Sequence, residues 1–454
     1  MAAAGCAGAN DSPAHRGRAR SCAPAVGAPR AGALGSGVSG SGSCPGRGPP
    51  VRATRLLLLT EYFAPHAGGT AVYYYEILRR LTGMEITVVT RAHPDAADFD
   101  RLQPLQIVRT PFPRIPKVRM VVEWWAQFLV GLWMVFTRRI DVVHAGQVFP
   151  GGLAVYSIHV LSGTPYAVYI HGEEITIAIR RWWKRLVVGF ILRSASAVFV
   201  NSWFSSRQVL ELGVPRNRIH VVYPGVDSGR FRPDADSPRQ TSLRADGERV
   251  LLSVGRLIPR KGLDTMIRLL PRVGAAVPDV VYWIAGGGSL SERQRLEQLA
   301  AAIGVSDRVR FLSEVPGGEL PGLYAACEIF VMLNRATSDG DVEGFGIVFL
   351  EAGACGKAVV GGRSGGAVEA VKHGRTGLLI SVEDADAAVE AIVRLLRDAA
   401  LRKRLGEAGR RRAIRHFSWD RAARRVGLVT TRLARRTPAG AEKIESEVGR
   451  VPAS

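Results

Sequence analysis

The chain has 454 residues, which at roughly 150 residues per domain indicates two or three domains and excludes a single small module. Hydrophobic residues make up 47% of it and charged residues 22%, close to globular averages, so global disorder is excluded. Lysine and arginine number 61 against 40 acidic residues, and the net charge of +21 points to an anionic partner. Nucleic acid, an acidic membrane surface and a phosphorylated small molecule all fit that charge.

Residues 1–53 differ in composition from the rest of the chain. They are mostly Ala, Gly, Ser, Pro and Arg, with Asp11 as the only acid and no aromatic residue. Such a segment cannot bury enough apolar surface to offset its ordering entropy, so we expect a disordered extension. An organelle transit peptide and a mis-assigned start codon are the alternatives. The segment lacks the apolar run of a secretory signal, and the five scattered cysteines include no Cys-x-x-Cys pair, so we expect a reducing, cytoplasmic location.

Short apolar runs alternate with helical patterns over residues 54–226, the predicted first domain. Strands are predicted at 55–60, 86–90, 107–109, 141–145, 166–170, 197–201 and 219–223. Helices are predicted at 71–81 and 120–137. The second of these contains Glu123 and Gln127, so we expect it to pack in the core or lie at an interface and not to span a membrane. The alternation is typical of a doubly wound α/β domain.

A charged, proline-bearing stretch at 227–249 interrupts this alternation and predicts an interdomain linker. The pattern restarts in a second predicted domain, 250–416, with strands at 250–254, 280–285, 309–312, 329–333, 358–362 and 377–380. Phe417-Ser-Trp419 opens a last arginine-rich helix, assigned to 417–436, and a disordered tail is expected at 437–454. Two Rossmann-like domains in tandem account for this order.

The strongest motif is Glu343-Gly-Phe-Gly-Ile-Val-Phe-Leu-Glu351. The first carboxylate lies in a glycine-rich loop, and the second lies about two turns along a helix predicted to start near Phe345. Gly344 and Gly346 would let backbone N–H groups at the helix N-terminus approach a sugar or a phosphate. Carboxylates accept hydrogen bonds from vicinal hydroxyls, so the spacing suits a sugar at one end and a ribose at the other. The alternative is that Glu343 is a surface loop residue and Glu351 a charge on a helix surface.

The second motif is Gly255-Arg256-Leu-Ile-Pro-Arg-Lys261-Gly262, between a predicted strand and a predicted helix. Arg256 and Lys261 would converge where a helix N-terminus presents its positive end, which would bind a diphosphate. The alternative is that Arg260 and Lys261 are solvated turn charges.

Three further turns follow strands. They are Ile284-Ala-Gly-Gly-Gly-Ser-Leu290, which includes Gly287, then Gly68-Gly69, and then His171-Gly172. Ligands of open α/β sheets bind at these carboxyl ends. Each turn alone is weak evidence for a site, since glycines at strand-to-helix turns are frequent for steric reasons only and a lone histidine often has a structural role. Asp339-Gly-Asp341 resembles an Asp-x-Asp metal motif, but Arg256 and Lys261 already supply positive charge nearby, so we expect no metal there.

Together these residues, with Ser364-Gly-Gly-Ala-Val-Glu369, resemble the retaining glycosyltransferases of family 4 over about residues 55–434. Residues 339–351 and 256–262 are particularly similar to the phosphatidylinositol mannoside mannosyltransferases that use GDP-mannose. The resemblance implies the GT-B fold, in which two Rossmann-like domains face each other across a cleft and the last helix crosses back to the first domain.

The resemblance also implies a role for each residue of the site. The base would lie near Val315, the ribose on Glu351 and the diphosphate on Arg256 and Lys261. Glu343 and the amides of Phe345, Gly346 and Ile347 would hold the sugar. Contacts with the bound donor would also come from Gly69, Gly287 and His171. Glu343, His171, Arg256 and Lys261 are the predicted catalytic residues.

The predicted reaction moves a hexose, with mannose favoured, from a nucleoside diphosphate to a hydroxyl with retention and without a metal or other cofactor. The expected route is same-face attack, with the leaving phosphate accepting the acceptor's proton. Arg180-Arg-Trp-Trp-Lys-Arg185 suits anionic headgroups, so we expect a lipid-linked or envelope glycan acceptor at the inner face of the cell membrane. The alternative is that this segment is a helix face partly packed in the core, with solvated arginines. The alternatives are a nucleotide-sugar 2-epimerase of the same fold and a basic nucleic-acid-binding protein, although no nucleic-acid motif is present. The sequence leaves open the base, the sugar, the acceptor, the linkage and the oligomeric state.

Overall fold

The structure is a computed structural model that describes residues 52–66, 68–110, 119–172, 175–176, 179–237, 243 and 245–435. The extension predicted at 1–53 lies outside the described residues up to residue 51, and the tail predicted at 437–454 lies outside them entirely.

The first lobe contains a seven-stranded parallel sheet in the order β3-β2-β1-β4-β5-β6-β7. Every strand falls on a predicted apolar run. The run of leucines in β1 is completely buried, as expected of a parallel strand covered by helices on both faces. The strands are β1 (Thr54–Leu59), β2 (Met84–Arg91), β3 (Gln106–Thr110), β4 (Val142–Ala145), β5 (Tyr166–Ile170), β6 (Ala197–Val200) and β7 (Ile219–Val221).

The helices of this lobe are α1 (Gly69–Leu78), α2 (Ala96–Arg101), α3 (Arg119–Arg138), α4 (Leu153–Ser162), α5 (Trp182–Ser194) and α6 (Trp203–Glu211). The helix expected at 71–81 therefore begins and ends earlier. Helices α3 to α6 each bury one apolar face against the same side of the sheet, and α1 packs against the other side.

Helix α3 is apolar on two sides. Over Met120–Arg138 it has the length and composition of a membrane span, with a mean hydropathy of 1.4. It nevertheless packs on the first sheet, where Glu123 and Gln127 are buried. Its outer face exposes a stripe of large apolar side chains, namely Val121, Trp125, Leu129, Trp133 and Phe136.

The second lobe contains a six-stranded parallel sheet in the order β10-β9-β8-β11-β12-β13. Its strands are β8 (Arg249–Val254), β9 (Val280–Ala285), β10 (Val309–Ser313), β11 (Ile329–Met332), β12 (Ala358–Gly362) and β13 (Leu378–Ile380). Its helices are α7 (Leu263–Ala276), α8 (Leu290–Ala302), α9 (Leu320–Ala326), α10 (Ile347–Ala354), α11 (Ala367–Ala370), α12 (Ala385–Arg397) and α13 (Ala399–His416).

The last helix, α14 (Trp419–Ala434), returns to the first lobe. Trp419 and Val426 are buried in the same cluster as Leu58 of β1. Thr430 Oγ1 lies 3.3 Å from Nε2 of His144, a fully buried histidine whose pKa burial lowers to about 3. His144 is therefore a neutral core residue, and α14 completes the core around it.

The carboxyl ends of the two sheets meet in a narrow cleft. A Cβ on Gly344 of the second lobe would lie 1.7 Å from the carbonyl oxygen of His171 in the first lobe. Asn201 Nδ2 donates to that same carbonyl at 2.8 Å. Because only a glycine permits this approach, the structure is a closed form of the two lobes.

Candidate active site

A cavity of about 210 Å³ lies between the lobes where the two sheets end. Eight of the residues predicted for the site line it, and they come from both lobes. They are Gly69, His171, Arg256, Lys261, Glu343, Phe345, Gly346 and Ile347.

Glu343 is the centre of a buried network. Its Oε2 accepts hydrogen bonds from Lys261 Nζ at 2.6 Å, from Arg260 Nη1 at 2.6 Å and from Asn334 Nδ2 at 3.0 Å. Arg260 Nε also pairs with Asp341 at 3.0 Å. The bonds that the described residues make to this carboxylate end on Oε2, which leaves Oε1 for a ligand in the cavity.

Burial and charge set the ionisation of this network. Burial alone would raise the pKa of Glu343, but Lys261 and Arg260 outweigh it and lower the pKa to about 2. Burial lowers the pKa of Lys261, and the nearby Glu343 carboxylate opposes that shift. Glu343 is 8% exposed, Arg260 5% and Lys261 8%, so the alternatives of a surface glutamate and solvated turn cations are wrong.

Two helices begin at this cavity, one from each lobe. Helix α1 starts at Gly69, and α10 starts at Ile347, two residues later than the start predicted near Phe345. Gly346 precedes α10 with φ of 87°, a left-handed conformation that favours glycine. The first N–H groups of a helix have no partner within it and carry partial positive charge, so both ends favour an anionic group.

His171 reaches the cavity from the end of β5. Its Nε2 lies 2.6 Å from the hydroxyl of Tyr74, and that hydroxyl also contacts the carbonyl oxygen of Gly146. A carbonyl can only accept, so the hydroxyl donates to Gly146 and accepts from His171. Nε2 therefore carries the proton, and the ring is held in a fixed orientation beside the cavity.

Three predicted residues are absent from the lining of this cavity. Glu351 lies just over one turn into α10, nearer its start than predicted, and accepts a hydrogen bond from Tyr324 at 2.7 Å. Burial raises the pKa of Glu351. Gly287 follows β9 and accepts from Leu257 N through its carbonyl at 2.8 Å. Val315 is half-buried against the core of the second lobe.

The network contains three residues that the sequence reasoning did not assign to the site. Arg260 was weighed only as a turn charge, Asn334 follows a buried strand, and Asp341 was weighed only as a metal ligand. The signal that could have found Arg260 is the pair of acids at 341 and 343, because two nearby carboxylates need two cations if they are buried.

The carboxylates of Asp339 and Asp341 are bonded to other side chains of the protein. Asp341 pairs with Arg260, and Asp339 accepts from the hydroxyl of Thr337. Within the described part of the chain, no group of three or more His, Cys, Asp or Glu side chains is arranged to hold a metal ion.

Solved structures with the same arrangement of two lobes define the class. Sucrose-phosphate synthase from Thermosynechococcus elongatus is 23% identical with a TM-score of 0.73, over 84% of this chain and 99% of that one. Anabaena HepE, in complex with UDP and glucose, is 20% identical with a TM-score of 0.70, over 84% of this chain and all of that one. The fold is GT-B, with its last helix returned to the first lobe, as the resemblance implied.

The sequence comparisons name the family. Residues 67–230 match the family described as Glycosyltransferase Family 4, and residues 234–412 match Glycosyl transferases group 1. The GDP-mannose-dependent alpha-(1-6)-phosphatidylinositol monomannoside mannosyltransferase of Mycolicibacterium smegmatis is 34% identical over 391 residues, 83% of this chain and 98% of the relative. The D-inositol 3-phosphate glycosyltransferase of Acidothermus cellulolyticus is 31% identical over 443 residues, 88% of this chain and 96% of the relative. The chain belongs to glycosyltransferase family 4, and it is a glycosyltransferase.

Proposed function

We propose that this enzyme transfers mannose, with retention, from GDP-mannose to a lipid-linked, inositol-containing acceptor at the inner face of the cell membrane. The observation that carries the proposal is the cavity that Arg256, Lys261 and Glu343 share with two helix N-termini. That set combines the positive charge a diphosphate needs with a carboxylate for a sugar hydroxyl.

The closed cavity of about 210 Å³ is smaller than the roughly 300–1,000 Å³ typical of ligand pockets. We place the mannose and the adjoining phosphates inside it, with Glu343 Oε1 and the amides of Gly346 and Ile347 on the sugar. The nucleoside would extend beyond it along the second lobe, toward Glu351 and Val315. The lobes therefore have to separate for the donor to enter and close again for transfer.

Same-face attack accounts for retention. Among the described residues of the first lobe, those that line the cavity include no carboxylate that could act as a nucleophile; Glu173 and Glu174 lie outside the described residues. The leaving phosphate would then accept the acceptor's proton while Arg256 and Lys261 stabilise its charge. His171, held by Tyr74, would fix the sugar from the first lobe.

A second cavity, of about 470 Å³, supports an acceptor with many hydroxyls. It lies beside the β1–α1 loop. Its lining combines polar side chains of the first lobe, such as Arg91 and Arg109, and Glu314 of the second lobe with apolar residues such as Phe63. His66 and Tyr62 stack with ring centroids 5.3 Å apart on its wall. Both curated relatives named above carry inositol in the name of their acceptor. We propose this cavity as the place where the acceptor's ring is held.

The outer face of the first lobe supports a lipid-linked acceptor. The exposed stripe on α3 shares a side of the sheet with α5, which exposes Trp182, Trp183, Leu186 and Phe190. Helix α4 lies between them, and its Tyr156 contacts Phe190 with ring centroids 5.1 Å apart. Tryptophan beside arginine and lysine is the composition of surfaces that bind at a membrane interface.

The donor is tested by thermal stabilisation and by product analysis. GDP-mannose should raise the melting temperature more than UDP-glucose or UDP-N-acetylglucosamine does, since a true donor stabilises the folded state by mass action. Transfer should be lost in Glu343→Ala and Lys261→Ala, with Glu390→Ala on the exposed face of α12 as the control. Unchanged transfer in either site variant would refute the site. Consumption of UDP-N-acetylglucosamine without an acceptor would indicate the epimerase.

The membrane surface is tested by cosedimentation with phosphatidylinositol-containing liposomes at low salt. Trp125→Glu combined with Trp133→Glu should abolish binding, because each places a charge in the apolar stripe. Leu428→Glu, on exposed α14 at the opposite face of the lobe, should leave binding intact. Equal binding by all three proteins would refute this surface. A salt-sensitive gel shift that survives removal of both tails would instead favour nucleic-acid binding.

A further inference from the structure

The segment Ser364-Gly-Gly-Ala-Val-Glu369 has no part in the donor cavity, yet its last residue bridges the two lobes. Glu369 lies in α11 of the second lobe. Its Oε2 accepts from the backbone N–H of Trp203 at 2.9 Å, and its Oε1 accepts from that of Phe204 at 2.8 Å. These two residues are the first of α6, in the first lobe.

The contact completes the capping of α6. The first N–H groups of any helix lack partners within it, and a carboxylate there is favoured by the helix dipole. The helix supplies one partner itself, since Ser202 Oγ accepts from Ser205 N at 3.1 Å. The other two partners come from Glu369. Tyr223, at the crossover between the lobes, adds a third hydrogen bond to Oε2 at 2.7 Å.

Each end of this bridge is attached to the donor cavity. On the second lobe, Gly366 N donates to the carbonyl of Glu343 at 2.8 Å. A Cβ on Gly366 would lie 1.9 Å from the carbonyl oxygen of Gly344, so this segment packs directly on the cavity wall. On the first lobe, Asn201 precedes α6 and holds the carbonyl of His171. Capping α6 therefore fixes the distance between Glu343 and His171.

We propose that Glu369 is a positioning residue that stabilises the closed enzyme by capping α6 across the cleft. It does not line the donor cavity, and it acts through the placement of His171 and Glu343. When the lobes separate, water can satisfy the same N–H groups, so the bridge biases closure and still allows it to reverse. The inference goes beyond the proposed function and uses GDP only as a probe of closure.

The test compares Glu369→Ala and Glu369→Gln with the wild-type enzyme. Glu390→Gln, on the exposed side of α12, is the matched control. Small-angle X-ray scattering with and without GDP reports closure, and steady-state kinetics report transfer. We expect GDP to compact the wild type and the control but not Glu369→Ala. We expect kcat of Glu369→Ala to fall about 10- to 100-fold, since three hydrogen bonds to a charged group are lost. The Kd for GDP should rise only by the factor that closure contributes to binding, and the melting temperature without ligand should stay close to that of the wild type.

Glu369→Gln should lower kcat less than Glu369→Ala does, because the glutamine amide keeps one accepting oxygen but points its N–H group at the N–H groups of the helix. Tyr223→Phe, which removes one of the three bonds, should reduce kcat least. An unchanged kcat in Glu369→Ala would overturn the proposal. A lower melting temperature in Glu369→Ala, together with GDP-induced compaction equal to that of the wild type, would also overturn it, because Glu369 would then act on stability alone. If UDP compacts the wild type and GDP does not, the proposed donor is wrong, and the same comparison with UDP still decides the role of Glu369.

Discussion

Replacing Glu343 by glutamine should destabilise the folded enzyme measurably even without substrate. The change keeps the shape and an accepting oxygen but removes the negative charge that Lys261 and Arg260 face at 2.6 Å. Both cations are buried, so water cannot compensate for the lost carboxylate. After the change, Asp341 would still pair with Arg260, whereas Lys261 would lose the carboxylate that it faces.

The size of the effect follows from the pKa of Glu343. A carboxyl whose pKa falls from 4.5 to about 2 on folding contributes about 3 kcal/mol of stability at neutral pH. In other proteins, removing one partner of a buried ion pair lowers the free energy of unfolding by about 3–5 kcal/mol. We therefore expect Glu343→Gln to lower the free energy of unfolding by about 3 kcal/mol.

The pH dependence has a definite sign. Because the pKa of Glu343 is lowered in the folded state, its contribution is complete above about pH 4.5 and is lost as the pH falls toward about 2. Urea denaturation of the wild type and of Glu343→Gln at pH 7 and again at pH 3.5 measures this. The difference between the two proteins should shrink at the lower pH. A difference below about 0.5 kcal/mol at pH 7, or one that does not change with pH, would show that the Glu343 carboxylate does not stabilise the fold through its buried ion pairs.

Three further substitutions test the closed form, the returned helix and the orientation of His171. Gly344→Ala places a Cβ 1.7 Å from the carbonyl of His171, so transfer should fall at least about 100-fold while circular dichroism stays native; wild-type transfer would show that the lobes need not approach this closely. Gly225→Ala places a Cβ 2.3 Å from the backbone nitrogen of Trp419, so the melting temperature should drop by several degrees, and an unchanged value would contradict the packing of α14. Tyr74→Phe removes the partner of His171 Nε2, so kcat should fall about tenfold with little change in donor KM; an unchanged kcat would mean that the ring is held otherwise.

The alternation of strands and helices could be predicted from the sequence because parallel strands are buried on both faces. Runs such as Leu56–Leu59 are continuous and apolar, and they are bounded by turn residues. Helix ends were less predictable. Helix α10 begins only at Ile347, because Gly346 takes a left-handed conformation that the residue names alone do not reveal. For α3 the sequence predicted packing in the core or at an interface but not which side faces the sheet, because large apolar residues lie on both sides of the helix.

The candidate site could be predicted as a set of residues but not as a network. The motifs predicted Glu343 and Lys261 as two separate site residues. Their hydrogen bond could not be predicted, because it forms only when two loops 82 residues apart in the sequence meet. Arg260 and Asn334 carry no local signal, because a cation in a turn and an amide after a strand are common on any surface. The contact of Glu369 with α6 joins two lobes, so no local pattern could have predicted it.

Because α14 returns to the first lobe, the core of that lobe contains residues from both the N-terminal and the C-terminal parts of the chain. Trp419, Val426 and Leu433 fill a face of the first sheet that α1 covers only in part. While the protein is being synthesised, that face stays without its last cover until the second lobe has already emerged from the ribosome. A fragment ending near residue 226 would expose Leu58 and Tyr73 to water. A fragment spanning the second sheet and α7 to α13 would keep its own core, so the two lobes should differ in how well they survive expression alone.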